Sequence, residues 1–213
     1  AFAFLAVGST YAMLGSHTIL KRVTPWLNRL DLHDLDRSGQ EAEVEKKAGR
    51  ICILGFSWTA SSLLEEISRE RSDLLEEIVI IDFNPLVHAR LRERGIQAVY
   101  GDITSRDTLF HAGVNHAKVI ISSLPNTVLK GSANFKMLLM LRSLNPEARI
   151  IVHAELLSDV PKLYAAGASY VTAPRLLEAA DLLQVIEADE QHLLEQKHQT
   201  QQKLLENRDE IIP

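Results

Sequence analysis

The chain has 213 residues, 46% of them hydrophobic and 24% charged, and 23 Lys+Arg against 28 Asp+Glu give a formal net charge of −5. This is the composition of a folded domain of ordinary size with appendages, and it excludes a disordered or low-complexity chain. The acidic balance and 6% aromatic content argue against a nucleic-acid partner, and a single cysteine, Cys52, excludes a disulfide framework and any zinc site built on several cysteines.

Residues 1–30 begin AFAFLAVGSTYAMLGSHTIL, an uncharged run with small residues (Gly8, Ser9, Gly15, Ser16) of the kind that lets membrane helices pack closely. About 20 such residues span a bilayer core. Lys21 and Arg22 follow at once, then Pro25, Trp26 and Arg29. Basic residues after an apolar run mark a cytoplasmic end, and tryptophan suits the interface. The run reads as the end of a transmembrane helix, with the chain starting inside a larger membrane protein. A buried helix of a soluble domain is the competing reading. Residues 31–48, polar and dense in charge, read as a linker or an exposed helix.

From residue 49 to 188, short apolar runs alternate with helical patterns. ICILGF, EIVIID, IQAVYGD, AKVIISSL, ARIIVHAE and SYVTAP are the strands, and an amphipathic or helix-prone stretch follows each. Continuous apolar strands flanked by helices predict a parallel sheet buried on both faces, so the fold class is α/β, a Rossmann-like doubly wound parallel sheet. The pattern predicts a helix from about Val128 to Ser143, and Gly95, Gly113 and Gly167 stand where helices should stop. Residues 189–213 form a polar, helix-prone tail with sparse leucines, either a dimerising or tethering helix or a solvated, partly frayed end.

In an open parallel sheet ligands bind beyond the carboxyl ends of the strands. Four features fall there. Gly55-Phe56-Ser57-Trp58-Thr59-Ala60 lies on the frame G-x-G-x-x-G, with Ser57 and Ala60 in place of the second and third glycines. Ser57 crowds the position where backbone would approach a pyrophosphate, but helix-start N–H groups and the Ser57 or Thr59 hydroxyls suit a phosphate. Asp82 ends the second strand about 20 residues beyond that frame, the spacing of an acid that accepts from ribose hydroxyls. Tyr100-Gly101-Asp102 ends the third strand; Gly101 permits close backbone approach, and Asp102 suits an adenine amino group or a helix cap. Ser122-Ser123-Leu124-Pro125 after the fourth strand can line the ribose and phosphate.

Taken together, I-L-G-F-S-W-T-A, V-I-I-D, G-I-Q-A-V-Y-G-D-I-T, L-F-H-A-G-V and A-K-V-I-I-S-S-L resemble the TrkA-N, or RCK, domain that regulates potassium conductance. The first 48 residues are similar to the last transmembrane helix and extension of Kef-type monovalent cation:proton antiporters. The resemblance implies a cytoplasmic regulatory domain of a multi-pass inner-membrane protein, joined to its own transmembrane transport domain. It implies a homodimer formed through the sheet edge and the helices after the fourth and fifth strands. It also implies an adenine nucleotide that gates transport: AMP is favoured because Ser57 narrows the loop, with NAD(H) or ATP/ADP as alternatives. The site it implies is Gly55, Phe56, Ser57, Trp58, Thr59, Asp82, Phe83, Gly101, Asp102, Ile103, Ser122 and Ser123. No motif carries over the response of Kef members to glutathione adducts.

Two enzymatic readings compete. An NAD-dependent oxidoreductase fragment would share the cofactor fold, but the chain after the sixth strand offers no substrate domain with a proton donor. The run from Gly55 also reads G-x-S-x-A between strand and helix, a nucleophile elbow that would need Asp82 and His153 as partners. The eight histidines show no metal-binding spacing; His88, His111 and His116 read as solvated helix and loop residues. Glu65, Glu66, Glu70, Glu76 and Glu77 read as solvated faces, and Cys52 as a buried small residue.

Overall fold

The computed structural model describes residues 50–126 and 134–212. The expected membrane segment, the linker and the first part of the helix predicted from Val128 lie outside these residues. Among the described residues no helix is long and apolar enough to cross a membrane.

All six expected strands form: β1 Ile51–Leu54, β2 Ile78–Asp82, β3 Gln97–Tyr100, β4 Val119–Ser122, β5 Arg149–His153 and β6 Tyr170–Thr172. Every pairing is parallel, in the order β3-β2-β1-β4-β5-β6. The order reverses between β1 and β4, which makes the gap beyond their carboxyl ends the switch point where such sheets hold ligands. The helices are α1 Trp58–Glu70, α2 Pro85–Glu93, α3 Arg106–His111, α4 Asn134–Leu144, α5 Val160–Ala165, α6 Pro174–Glu190 and α7 Leu194–Leu205.

Side chains alternate between two buried faces along each central strand. Cys52, Leu54, Val79 and Ile81 join Leu109 of α3, Met137, Leu138 and Leu141 of α4, and Leu163 of α5. Ile53, Ile78 and Ile80 join Ala60 and Leu64 of α1 and Val87 and Leu91 of α2. A strand with apolar residues on both sides has no polar face to turn to water, so it stays central. Local chemistry starts the helices. Ser57 caps α1 by accepting from Ala60 N–H at 3.2 Å, and Asn84 with Pro85 starts α2, Asn84 Oδ1 accepting from Leu86 N–H at 3.0 Å. Gly95, Gly113 and Gly167 end their helices with positive φ, as expected.

The tail differs from the frayed reading. It forms α7 and then returns: Glu206–Ile212 lies against α1 and α2, and Ile211 is 2% exposed in the same core as Leu64 and Leu91. An isolated polar tail gives no sign of this, because the contact pairs residues more than 100 positions apart. The reading of Glu65 as solvated is also corrected: it is buried and paired, one turn along α1, with Arg69 Nε at 3.2 Å. Glu66, still exposed, pairs with Arg208.

Candidate functional site

Register brings the expected features to one rim. Leu54 pairs with Ile81 and with Ser122, and Asp82 pairs with Tyr100, so the residues after β1, β2, β3 and β4 stand in one row. Gly55 N–H donates to Ile81 O at 2.8 Å, and Gly101 N–H donates to Asp82 O at 3.1 Å. Gly55 has φ +72°, the left-handed turn that glycine takes without penalty. An added Cβ would also lie 2.2 Å from Leu124 Cδ1. The close neighbour at Gly101 is likewise protein: a Cβ there would lie 2.4 Å from Thr108 Cγ2 of α3.

Asp82 is the centre of the arrangement. It is buried, and its Oδ2 accepts from Phe56 N–H at 2.7 Å while Oδ1 accepts from Asn84 N–H at 2.6 Å. The carboxylate therefore clamps the β1 loop to the β2 loop. Each carboxylate oxygen has two acceptor positions, so capacity remains for a ligand hydroxyl. Ser57 Oγ is turned to its own helix start and to Ser123 Oγ, 2.9 Å away, which joins the β1 and β4 loops. Its partner is a hydroxyl, and among the described residues no imidazole is bonded to it as the proton acceptor of a nucleophile elbow would be. His153, at the end of β5, instead lines a separate cleft with Asn126, Asn134, Asp159 and Lys162, and partial burial holds its pKa below the usual value against the opposing pull of Glu155.

The other expected residues divide by exposure. Trp58 and Phe83 are 74% and 53% exposed, and Thr59 and Asp102 are also exposed. Phe56, Ile103 and Ser122 are buried, so their side chains serve the core and a ligand could meet only their backbone. Asp102 does not cap α3. Ser105 does, accepting from Thr108 N–H, while Asp102 Oδ1 accepts from both N–H and Oγ1–H of Thr104 at 2.8 Å.

Nothing in the sequence singles out Asn134. Buried at the start of α4, it donates from Nδ2 to Leu124 O at 2.9 Å and to Asn126 Oδ1, and lies 3.4 Å from Ser122 Oγ. It fixes the loop after β4. The only signal was a polar residue at the head of an apolar helical run, which capping explains equally well.

A family model described as the TrkA-N domain matches residues 51–174. Among curated proteins, the glutathione-regulated potassium-efflux system protein KefC of Cronobacter sakazakii is 28% identical over 141 residues, covering 62% of this chain and 21% of that protein. An uncharacterized protein of Methanothermus fervidus is 27% identical over 132 residues, covering 61% of this chain and 20% of that protein. The chain thus spans about a fifth of the length of these relatives. Among solved structures, the TrkA-N domain of the inner membrane protein ybaL from Escherichia coli aligns with TM-score 0.56 and 25% identity, covering 64% of this chain and 96% of that one. The GsuK RCK domain aligns with TM-score 0.53 and 27% identity, covering 70% of this chain and 30% of that one.

Proposed function

The chain belongs to the TrkA-N domain family, and on that premise we propose that residues 49–188 bind an adenine nucleotide at the β1–β4 rim, without transforming it, to regulate a monovalent cation/proton antiporter. The observation that carries this reading is the Asp82 clamp: a carboxylate held by Phe56 N–H at 2.7 Å, directly beside the N-terminus of α1. A carboxylate and a helix N-terminus side by side match the ribose and phosphate of one nucleotide.

The roles follow from the chemistry. The first N–H groups of a helix have no intrahelical acceptor. Ser57 Oγ takes that of Ala60, so those of Trp58 and Thr59 are the donors for a phosphate, with the Thr59 hydroxyl beside them. Asp82 accepts from the ribose hydroxyls and repels a 2′-phosphate. Gly101 and Asp102 face the base side, beside the exposed ring of Phe83. Gly55 shapes the turn, Phe56 and Ile103 offer backbone, and Ser123 with buried Ser122 supports the β4 side. Ser57 is tethered on both sides, which keeps a side chain where a second phosphate would need room. This favours AMP over NAD(H), ADP or ATP.

The likeness to a KefC protein supports potassium as the ion and a Kef-type antiporter as the whole. Residues 1–30 then enter from the transport domain in the inner membrane, and residues 31–48 link it to this cytoplasmic part. The homodimer is expected through the sheet edge and the helices after β4 and β5. A second copy also suits α6, where the aliphatic side chains of Leu176, Leu177, Leu182, Leu183 and Ile186 are exposed on a helix with no buried residue. Binding transmits a signal only if nucleotide affinity differs between two transport states. Mass spectrometry of nucleotide released from the purified chain, followed by calorimetry with AMP, ADP, ATP and NAD(H), tests the reading. AMP bound most tightly is the expected result; no binding by any of them at millimolar concentration would overturn it.

A further inference from the structure

The chain's own segment Glu206–Ile212 lies in the groove between α1 and α2 and runs antiparallel to α1. Arg69, in the last turn of α1, donates to Leu204 O and Glu206 O. Arg208 pairs with Glu66, and Ser62 Oγ donates to Glu210 Oε2 at 3.2 Å. Ile212 N–H then donates to Ser61 Oγ at 3.0 Å, in the first turns of the helix. From the other wall, Arg94 donates to Asp209 O and Arg90 to Ile211 O, each at 2.6 Å. Arginines that grip main-chain carbonyls of an extended segment, with one isoleucine sunk in the core, make a specific seat for that segment and not a casual surface contact.

The seat ends at the candidate site. Ser61 receives Ile212 through its hydroxyl, and its own N–H donates to Ser57 O at 2.9 Å. Ser57 in turn caps α1 and meets Ser123. We propose that Glu206–Ile212 is a releasable latch that holds α1, and with it the loop from Gly55 to Thr59, in the nucleotide-binding arrangement. The proposal rests on the nucleotide reading of that loop. A seated latch removes motion that a ligand would otherwise have to freeze, so it raises affinity; by linkage, bound nucleotide tightens the latch by the same factor.

The test uses the full chain and two variants. Ile211→Asp puts a charge in the core and ejects the latch. Arg90→Gln removes only the bond to Ile211 O and serves where the first variant folds poorly. Hydrogen exchange reads residues 206–212 and 58–70, and calorimetry reads AMP, ADP and NAD. Faster exchange in both segments, with affinity for the bound nucleotide lowered about fivefold or more, is expected. In the parent, saturating nucleotide should slow exchange in 206–212. A freed latch with affinity unchanged within twofold overturns the latch alone, as does nucleotide binding that leaves 206–212 exchange unaltered. A parent chain that binds none of the three overturns the nucleotide reading itself, and the latch's control of affinity with it.

Discussion

Asp82 links the fold to the proposed site, so its replacement separates a structural role from a purely ligand-binding one. In Asp82→Ala the N–H of Phe56, buried and bonded at 2.7 Å, loses its acceptor, and Asn84 N–H loses a bond of 2.6 Å at a partly buried place. Bonds to a charged group contribute about 1.5–3 kcal/mol, and an orphaned buried donor costs about 1–3 kcal/mol. Water can replace the partner of Asn84 but reaches Phe56 poorly, so the buried bond dominates. The expected loss is about 3 kcal/mol, or roughly 6–12 °C in Tm for a domain of this size. Asp82→Asn keeps one acceptor oxygen but sets an NH2 against the other N–H, so it should lose about 2 kcal/mol. Urea unfolding followed by circular dichroism measures both, and calorimetry measures nucleotide binding on the folded variants. If Asp82 served a ligand only, both variants would unfold like the parent in the absence of nucleotide. An alanine variant within about 0.5 kcal/mol of the parent, the range of an ordinary surface substitution, would refute the clamp.

Gly55→Ala should lose about 2–4 kcal/mol, because it combines a left-handed φ of +72° with a Cβ 2.2 Å from Leu124 Cδ1. Leu124→Ala is itself a core truncation costing about 2–5 kcal/mol, so a double-mutant cycle isolates the overlap. Gly55→Ala should cost less in the Leu124→Ala background than in the parent, and equal costs in both would show that Leu124 is not the obstacle. Burial pushes the Cys52 thiol up to about 12, so it should resist alkylation at pH 8 in the native state and react on unfolding in urea; rapid native labelling would contradict its place in β1. His153, whose pKa is lowered by partial burial against Glu155, binds its proton more readily when unfolded. Its contribution to stability is therefore whole above about pH 6.5 and is lost as pH falls through the depressed folded value. His153→Gln should flatten the decline in stability measured between pH 7 and 5, and an unchanged slope would count against this.

Much of the molecule follows from local pattern. Six apolar runs with no polar alternation can be satisfied only between two layers, and the parallel α/β sheet follows from that requirement. The position of Asp82 at the end of its run and the turn at Gly55 were equally legible, since strand ends and left-handed turns depend on a few adjacent residues. Tertiary structure alone decided the partners. That Asp82 bonds Phe56, that Ser57 meets Ser123, and that Thr108 fills the space beside Gly101 depend on strands brought together from distant parts of the chain. The clearest case is the tail. By itself ENRDEII is polar with two isoleucines at its end, and such a segment is helical, frayed or bound with no local preference to choose among them. Only the finished groove of α1 and α2, with Arg69, Arg90 and Arg94 aimed at its carbonyls, gives Ile211 a core to enter. A single sequence records which residues are apolar; which cavity an apolar residue fills is set by long-range contacts that exist only once the chain has folded.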